Sequence, residues 1–339
     1  MSADNDRPAE PLTDDLPDAL CPRSPRPILV TGAHRSGTTW VGKMLAAGSQ
    51  AAYISEPLNV LHRPGVLRTP VRYWYTYIHE GNEAEFLPGL QEAISFRYHL
   101  VKELDSLRSG KDLARMGRDV AIFLRGRIQR QIPLVKDPFA VFSAPWFARR
   151  LNCKIVITVR HPAAFASSLK RLDWPFDFAD LLAQPQLMQD WLEPFRPKIE
   201  TMALPVHGKA NRTVLTNTIE SASLLWLVIY TFALECIRQY PDFILVRHED
   251  LSADPVKGFE ELYSRLGLAF TSLAKKTILK ASSSENPGEL ARGATHSVRL
   301  DSRANLQNWK HRLTNEEIQS IRRLTGELCD QYYPDQSWD

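Results

Sequence analysis

The stretch LVTGAHRSGTTWVGKML, Leu29 to Leu45, decides the fold. An apolar run ends in a glycine turn, and a helical pattern follows. From Gly32 to Thr39 the residues read G-A-H-R-S-G-T-T. This is the phosphate-loop pattern G-x-x-x-x-G-K-[ST] with Thr38 in place of the lysine. A glycine turn before a helix aims several backbone N–H groups at one point, and the helix dipole adds partial positive charge there. Anion binding therefore survives the loss of the lysine. Arg35, inside the loop, supplies a planar fork of donors suited to a tetrahedral oxyanion. Taken alone, the same turn could simply pack a strand on a helix, and Trp40 reads equally as core or as a platform for a nucleobase.

Outward from that stretch, short β-rich runs alternate with helical patterns. PILVT (27–31), AYIS (52–55), IPLVK (132–136), KIVITV (154–159) and FILV (243–246) read as strands. The alternation predicts an α/β fold of three layers, P-loop-like, around a central parallel sheet. The loop then lies at the carboxyl edge of the sheet, where such folds bind ligands. Residues 60–131, expected to be mostly helical, and 172–216 fit the alternation poorly. They read as insertions that form the acceptor pocket of one domain spanning 27–339. Residues 1–26 are acidic, rich in proline and lacking an apolar h-region, and read as a flexible tail. The apolar run Ala222–Ile237 contains Glu235, falls short of a spanning length and predicts a buried helix.

The composition is that of a globular protein, 44% hydrophobic and 24% charged over 339 residues. A net charge of only +3, with no long basic run, argues against a nucleic-acid partner. Cys21, Cys153, Cys236 and Cys329 lie far apart and form no metal-binding pattern. Reduced thiols in a cytoplasmic protein are expected.

KIVITVRHP places Arg160 where a metal-dependent nucleotidase keeps a magnesium-holding acid. A cation there repels a metal and attracts a second phosphate. Ser168 lies about two turns into the following helix, so Arg160 with the helix bearing Ser167 and Ser168 forms a second candidate anion site. Two anion sites without a metal site fit a nucleotide with phosphates at both ends, such as 3′-phosphoadenosine 5′-phosphosulfate (PAPS).

With these residues in hand, the sequence resembles the PAPS-dependent sulfotransferases. HRSGTTWVGKML (34–45) resembles their 5′-phosphosulfate loop, and TVRHPAAFASSLKR (158–171) their 3′-phosphate motif. FILVRHEDLSADP (243–255) resembles a strand and turn of the cytosolic members, and SRANLQNWKHRLT (302–314) the segment that covers the nucleotide. The resemblance runs from Pro27 to about Leu324. It implies that Arg35, Ser36, Gly37, Thr38 and Thr39 hold the phosphosulfate, and that Trp40 stacks on adenine. It further implies that Arg160 and Ser168 hold the 3′-phosphate, and that Arg303 takes the place of the covering segment's lysine. That segment here lacks its usual R-K-G.

One departure bears on the chemistry. Where cytosolic members carry K-T-H, this chain reads VKDPF: Lys136 is kept, and Pro138 stands at the position of the catalytic histidine. AYISEPLNVLHR (52–63) resembles the Glu-Pro segment of carbohydrate sulfotransferases and offers Glu56 as general base. Asp137 and, more remotely, His34 are alternatives. The implied reaction moves a sulfuryl group from PAPS, with PAP as product and no metal, to a sugar or small-molecule hydroxyl. Tyr73, Trp74, Tyr75 and Tyr77 are candidates to face that acceptor. Glu56, Lys136 and Arg35 would carry the catalysis. A rival reading is a small-molecule kinase using ATP and magnesium held by Glu249 or Asp250. Another is a nucleotide-binding protein without catalysis.

Overall fold

A computed structural model describes residues 25–61, 63–203, 218–289, 297–334 and 338. Most of the tail expected over 1–26 and part of the 172–216 insertion lie outside the described residues, as does Cys21.

Five strands form one parallel sheet: β1 (Ile28–Gly32), β2 (Ala51–Ser55), β3 (Ile132–Lys136), β4 (Lys154–Val159) and β5 (Ile244–Arg247). Their order is β2-β3-β1-β4-β5. Every pair is parallel, with Leu29 opposite Val135 on one side and Ile155 on the other. The runs expected from sequence match these within one residue at each end.

β1 is buried along its whole length, as a central parallel strand covered on both faces must be. Side chains alternate across it, so its two faces feed two cores. Ile28 and Val30 meet Val41, Met44 and Leu45 of helix α1 (Thr38–Ala46), with Phe259 and Ile278 from later helices. Leu29 packs instead with Phe147, Phe165, Trp226 and Tyr230. The layers are thus helix, sheet, helix. The long apolar helix Thr218–Gln239 passes the length and composition test for a membrane span. It is nonetheless mostly buried, packed on the helix Asn315–Tyr332 and on α6 (Pro162–Leu172).

The 60–131 insertion contains three helices: α2 (Glu83–Ile94), α3 (Leu100–Ser106) and α4 (Gly110–Ile128). Its first third is irregular rather than helical. There Tyr75 sits in the left-handed region at φ 59° with its ring fully buried among Phe139, Phe142 and Phe176. After β3 a 3₁₀ turn (Pro138–Ser143) leads into α5 (Ala144–Leu151). Asp137 caps that turn, accepting the Phe139 N–H at 3.0 Å and the Leu58 N–H at 2.6 Å.

Candidate active site

Along the carboxyl edge, β1 sends its chain towards β2, and β4 sends its chain towards β5. The crevice between these diverging strands is where a doubly wound sheet holds a ligand. Here it opens into a cleft lined by Arg35, Thr38, Trp40, Arg160, His248 and Arg312.

The loop between β1 and α1 forms one wall. Gly32 and Gly37 adopt φ 139° and 98°. A Cβ on Gly32 would lie 2.4 Å from the Thr158 carbonyl oxygen, and one on Gly37 2.6 Å from Nδ1 of His248. Both conformation and space therefore require glycine. Gly37 offers no side-chain cap, and the first turn of α1 contains no acid. The helix thus starts at the cleft wall, at Thr38 and Thr39, where leading N–H groups left without intrahelical partners are suited to an anion.

Behind the loop, Ser36 is fully buried. Its hydroxyl donates to the Ala33 carbonyl at 2.6 Å and pairs with Thr158 Oγ1 at 2.7 Å. The expected ligand hydroxyl is thus a brace that ties the loop to β4, turned away from the cleft. Tyr230 completes the brace, donating to the Thr158 carbonyl at 3.0 Å and accepting the Ala33 N–H at 3.4 Å. Trp226 donates to the Arg160 carbonyl at 2.8 Å. The sequence shows these two aromatics only as members of an apolar helix.

Four arginines converge on the cleft: Arg35, Arg160, Arg171 and Arg312. Arg35 donates through Nε to Ser168 Oγ at 3.1 Å, and Arg160 through Nη1 to the Arg35 carbonyl at 3.3 Å. Residues 125 apart in sequence thereby form one cationic wall. Burial, with the Arg160 and Arg171 charges added, pulls the Arg35 pKa down to about 10. Arg160 is lowered by burial and by Arg312, against the opposing pull of buried Glu249. Arg171 is lowered by burial and by Arg312. Nε of Arg160 is buried without a hydrogen-bond partner. Arg171 and Arg312 lie inside the quoted segments 158–171 and 302–314, but the resemblance assigns neither a role.

The far wall is the 297–312 segment, through Ser297, Val298, Leu300, Ser302, Asn305 and Arg312. The segment expected to cover a nucleotide borders this cleft, but Arg303 does not. That side chain is exposed, donates to the Ala253 carbonyl at 3.0 Å and lies off the cleft. Arg312 faces the cleft and pairs at 3.0 Å with Glu289. Trp40 lines the cleft, held edge-on by Phe259 and His248 at 5.1 and 5.5 Å between centroids.

The β2–β3 end of the edge has another character. Lys136 is buried and forms an ion pair with Glu56, whose side chain stays 24% exposed. Glu56 follows β2 in the left-handed region at φ 48°. Its N–H is fixed to the Lys136 carbonyl at 2.8 Å, and its Oε2 accepts from Asn59 at 2.6 Å. Burial pushes its pKa up, but Lys136, Asn59 and Arg63 outweigh that and hold it below the ordinary glutamate value. Asp137 is fully buried, and burial with the nearby Glu56 charge raises it to about 7.

His34 accepts or donates at 2.6 Å to the Tyr75 hydroxyl, which also accepts the His34 N–H at 3.1 Å. Burial and Arg35 lower its pKa to about 4, so the ring is neutral at pH 7. His161 caps α6, accepting the Ala163 N–H at 3.3 Å, and stacks on Trp309. Glu249 accepts the His161 N–H at 2.9 Å and the Tyr333 hydroxyl at 2.7 Å, while Asp250 pairs with Arg247 at 2.6 Å. Neither acid lines the cleft. Among the described residues no three His, Cys, Asp or Glu side chains group to hold a metal. Cys153, Cys236 and Cys329 are buried free thiols.

No curated protein matches the chain in sequence. Among solved structures it is similar to the sulfotransferase domain of the Synechococcus PCC 7002 olefin synthase. They share 18% identity, with 95% of this chain and 98% of that one covered, at a TM-score of 0.46. The sulfotransferase domain from the curacin biosynthetic pathway matches at 16% identity over 90% of this chain and 97% of its own, with a TM-score of 0.46. Mouse sulfotransferase SULT7A1 complexed with PAP matches at 11% identity over 92% and 89%, with a TM-score of 0.41. A model of the sulfotransferase family matches residues 27–272, a span holding the phosphate-type loop, Glu56, Lys136 and Arg160. That match covers well over half of the sequence, and the chain belongs to the sulfotransferase family.

Proposed function

We propose that the enzyme moves the sulfuryl group of PAPS to an acceptor hydroxyl, without a metal, and releases PAP. The observation that carries this reading is the cluster of Arg35, Arg160, Arg171 and Arg312 around the uncapped start of α1. Burial first, and their mutual repulsion after it, lower three of their pKa values, and a ligand with several negative charges relieves that repulsion. The orphaned Nε of buried Arg160 and the glycine cradle at Gly37 fit such a group. In this reading the α1 N–H groups and Arg35 hold the phosphosulfate end, and Arg160, Ser168, Arg171 and Arg312 hold the 3′-phosphate end. Trp40 flanks the adenine.

PAPS supplies an activated sulfuryl group whose bond to the phosphate breaks as the new oxygen–sulfur bond forms. Glu56, ionised at neutral pH, takes the proton from the acceptor hydroxyl. Lys136 keeps that carboxylate charged and positioned, and lends positive charge where negative charge builds up. Residues 27–339 act as one unit, with the 60–131 and 172–216 segments supplying the acceptor side. The Glu-Pro segment and the aromatics near it, Trp74 against Phe139 at 4.4 Å among them, favour a glycan or small-molecule alcohol as acceptor.

Thermal shift tests the nucleotide. A rise in melting temperature with PAP, exceeding that with ATP and magnesium, is expected. A rise with ATP and magnesium alone would return the enzyme to the kinase class. PAP binding without sulfate transfer to any acceptor would leave a binding protein.

A further inference from the structure

Of the ten large apolar side chains exposed among the described residues, seven lie between Leu61 and Ile128. They are not scattered. The inward face of α4 buries Met116, Asp119, Phe123 and Gly126. Its outward face, at helical spacing, carries Leu113, Gly117, Ala121, Leu124 and Ile128. Leu113, Leu124 and Ile128 are 54%, 56% and 71% exposed, and a Cβ added at Gly117 would meet nothing. α3 adds exposed Leu100, Val101 and Leu104. A surface helix ordinarily turns its apolar stripe inward, so α4 is apolar on both faces.

The charge around this stripe is one-sided. Residues 97–130 hold nine Lys and Arg against four Asp and Glu, a net +5 in a chain whose total is +3. Glu103 and Asp119 are buried, and Asp112 pairs with Arg115 at 2.7 Å. Lys111, Arg118 and Arg125 flank the stripe in the open, with Arg127 and Arg130 at its end. A second copy would bring two surfaces of the same positive charge together, which disfavours self-pairing. Apolar residues between exposed cations match a helix lying in the headgroup region of an anionic bilayer.

We infer that the outer face of α4 docks this enzyme on a phospholipid surface bearing anionic headgroups. α4 packs against β2, the strand that leads into Glu56. Its inner-face Asp119 holds Arg63, one of the cations that keep the Glu56 carboxyl ionised. The docked face therefore backs the β2 end of the sheet edge. The inference stands on the surface alone, whichever group is the base.

Co-sedimentation of the full chain with vesicles tests it. Binding to phosphatidylglycerol–phosphatidylcholine vesicles is expected, with little to phosphatidylcholine alone and a fall of about tenfold or more in high salt. The double variant L124E/I128E should lose binding at unchanged melting temperature and unchanged PAP affinity. The variant R118Q/R125Q should weaken it with the apolar stripe intact. Failure to bind either vesicle, equal binding to neutral vesicles, or full binding by L124E/I128E overturns the inference. If vesicles fail, dimerisation abolished by L124E/I128E would assign the face to a second copy. A melting temperature lowered by removing residues 1–24, which are acidic, would assign it to the chain's own N-terminus.

Discussion

The two ends of the sheet edge solve different electrostatic problems. On the β1–β4 side four guanidinium groups gather, and the acid paired with one of them, Glu289, is 57% exposed. Arginine does not lose its proton in the working pH range, so this wall is a fixed positive field. On the β2–β3 side one buried ammonium meets one carboxylate, and a second carboxyl, Asp137, lies buried beneath them. The charge there is nearly balanced, and Glu56 alone is partly open to solvent. Fixed charge suits holding an anion, while a balanced, partly open carboxylate suits taking a proton. In the proposed reading binding and proton transfer are given to separate groups, and each should be breakable without the other.

The largest effect is expected on the proton-transfer side. Glu56→Gln keeps the shape and removes the base, so kcat should fall about 10²–10⁴-fold while PAP affinity stays. Isothermal titration beside steady-state rates checks both halves. A variant with full turnover would move the base to Asp137 or His34. The pH profile distinguishes the two carboxyls independently. A base must be ionised, so activity is lost as pH falls through its pKa in the folded enzyme. With Glu56 as the base, the acid limb lies below the ordinary glutamate value of 4.5. With Asp137 as the base, it lies at about 7.

The next effect belongs to the binding side. Arg160→Ala removes a charged donor from the cleft, and charged hydrogen bonds contribute about 1.5–3 kcal/mol each. PAP should bind roughly 10- to 100-fold more weakly, by the usual tenfold per 1.4 kcal/mol. The replacement relieves repulsion with Arg35 and Arg312 but also removes the attraction to buried Glu249, so the melting temperature without nucleotide is measured beside the affinity. A large loss of stability with unchanged PAP affinity would make Arg160 a structural residue, tied by its carbonyl to Trp226.

The same division explains what could be read from sequence. Strands, the loop and the Arg160–Ser168 pair lie in local spacings, and local spacing survives as text. β1 and β4 are buried on both faces, so their apolar runs mark them plainly. The family resemblance offers Ser36 as a ligand. Only the packing of β4 shows that the hydroxyl closes on Ala33 and Thr158. Tyr75 reaches His34 from an irregular insertion 41 residues away, a contact no periodicity announces. Arg171 and Arg312 arrive at the cleft from α6 and from a short helix, Asn308–Arg312, near the C-terminus.

The smallest expected effect is the most informative about the covering segment. Counting back from Trp309 singles out Arg303, yet its side chain is exposed and occupied by the Ala253 carbonyl. Arg312 stands nine residues on, at the end of the helix Asn308–Arg312, and lines the cleft. Arg303→Ala should therefore change PAP affinity by less than about twofold, as an exposed contact contributes little. Arg312→Ala removes a cation that acts on both Arg160 and Arg171, and should weaken PAP roughly tenfold. Paired titrations of the two variants at equal salt decide it. If Arg303→Ala proves the more damaging, the 297–312 segment must shift on binding so that Arg303 replaces Arg312. The fixed field of the β1–β4 side would then include a part that moves.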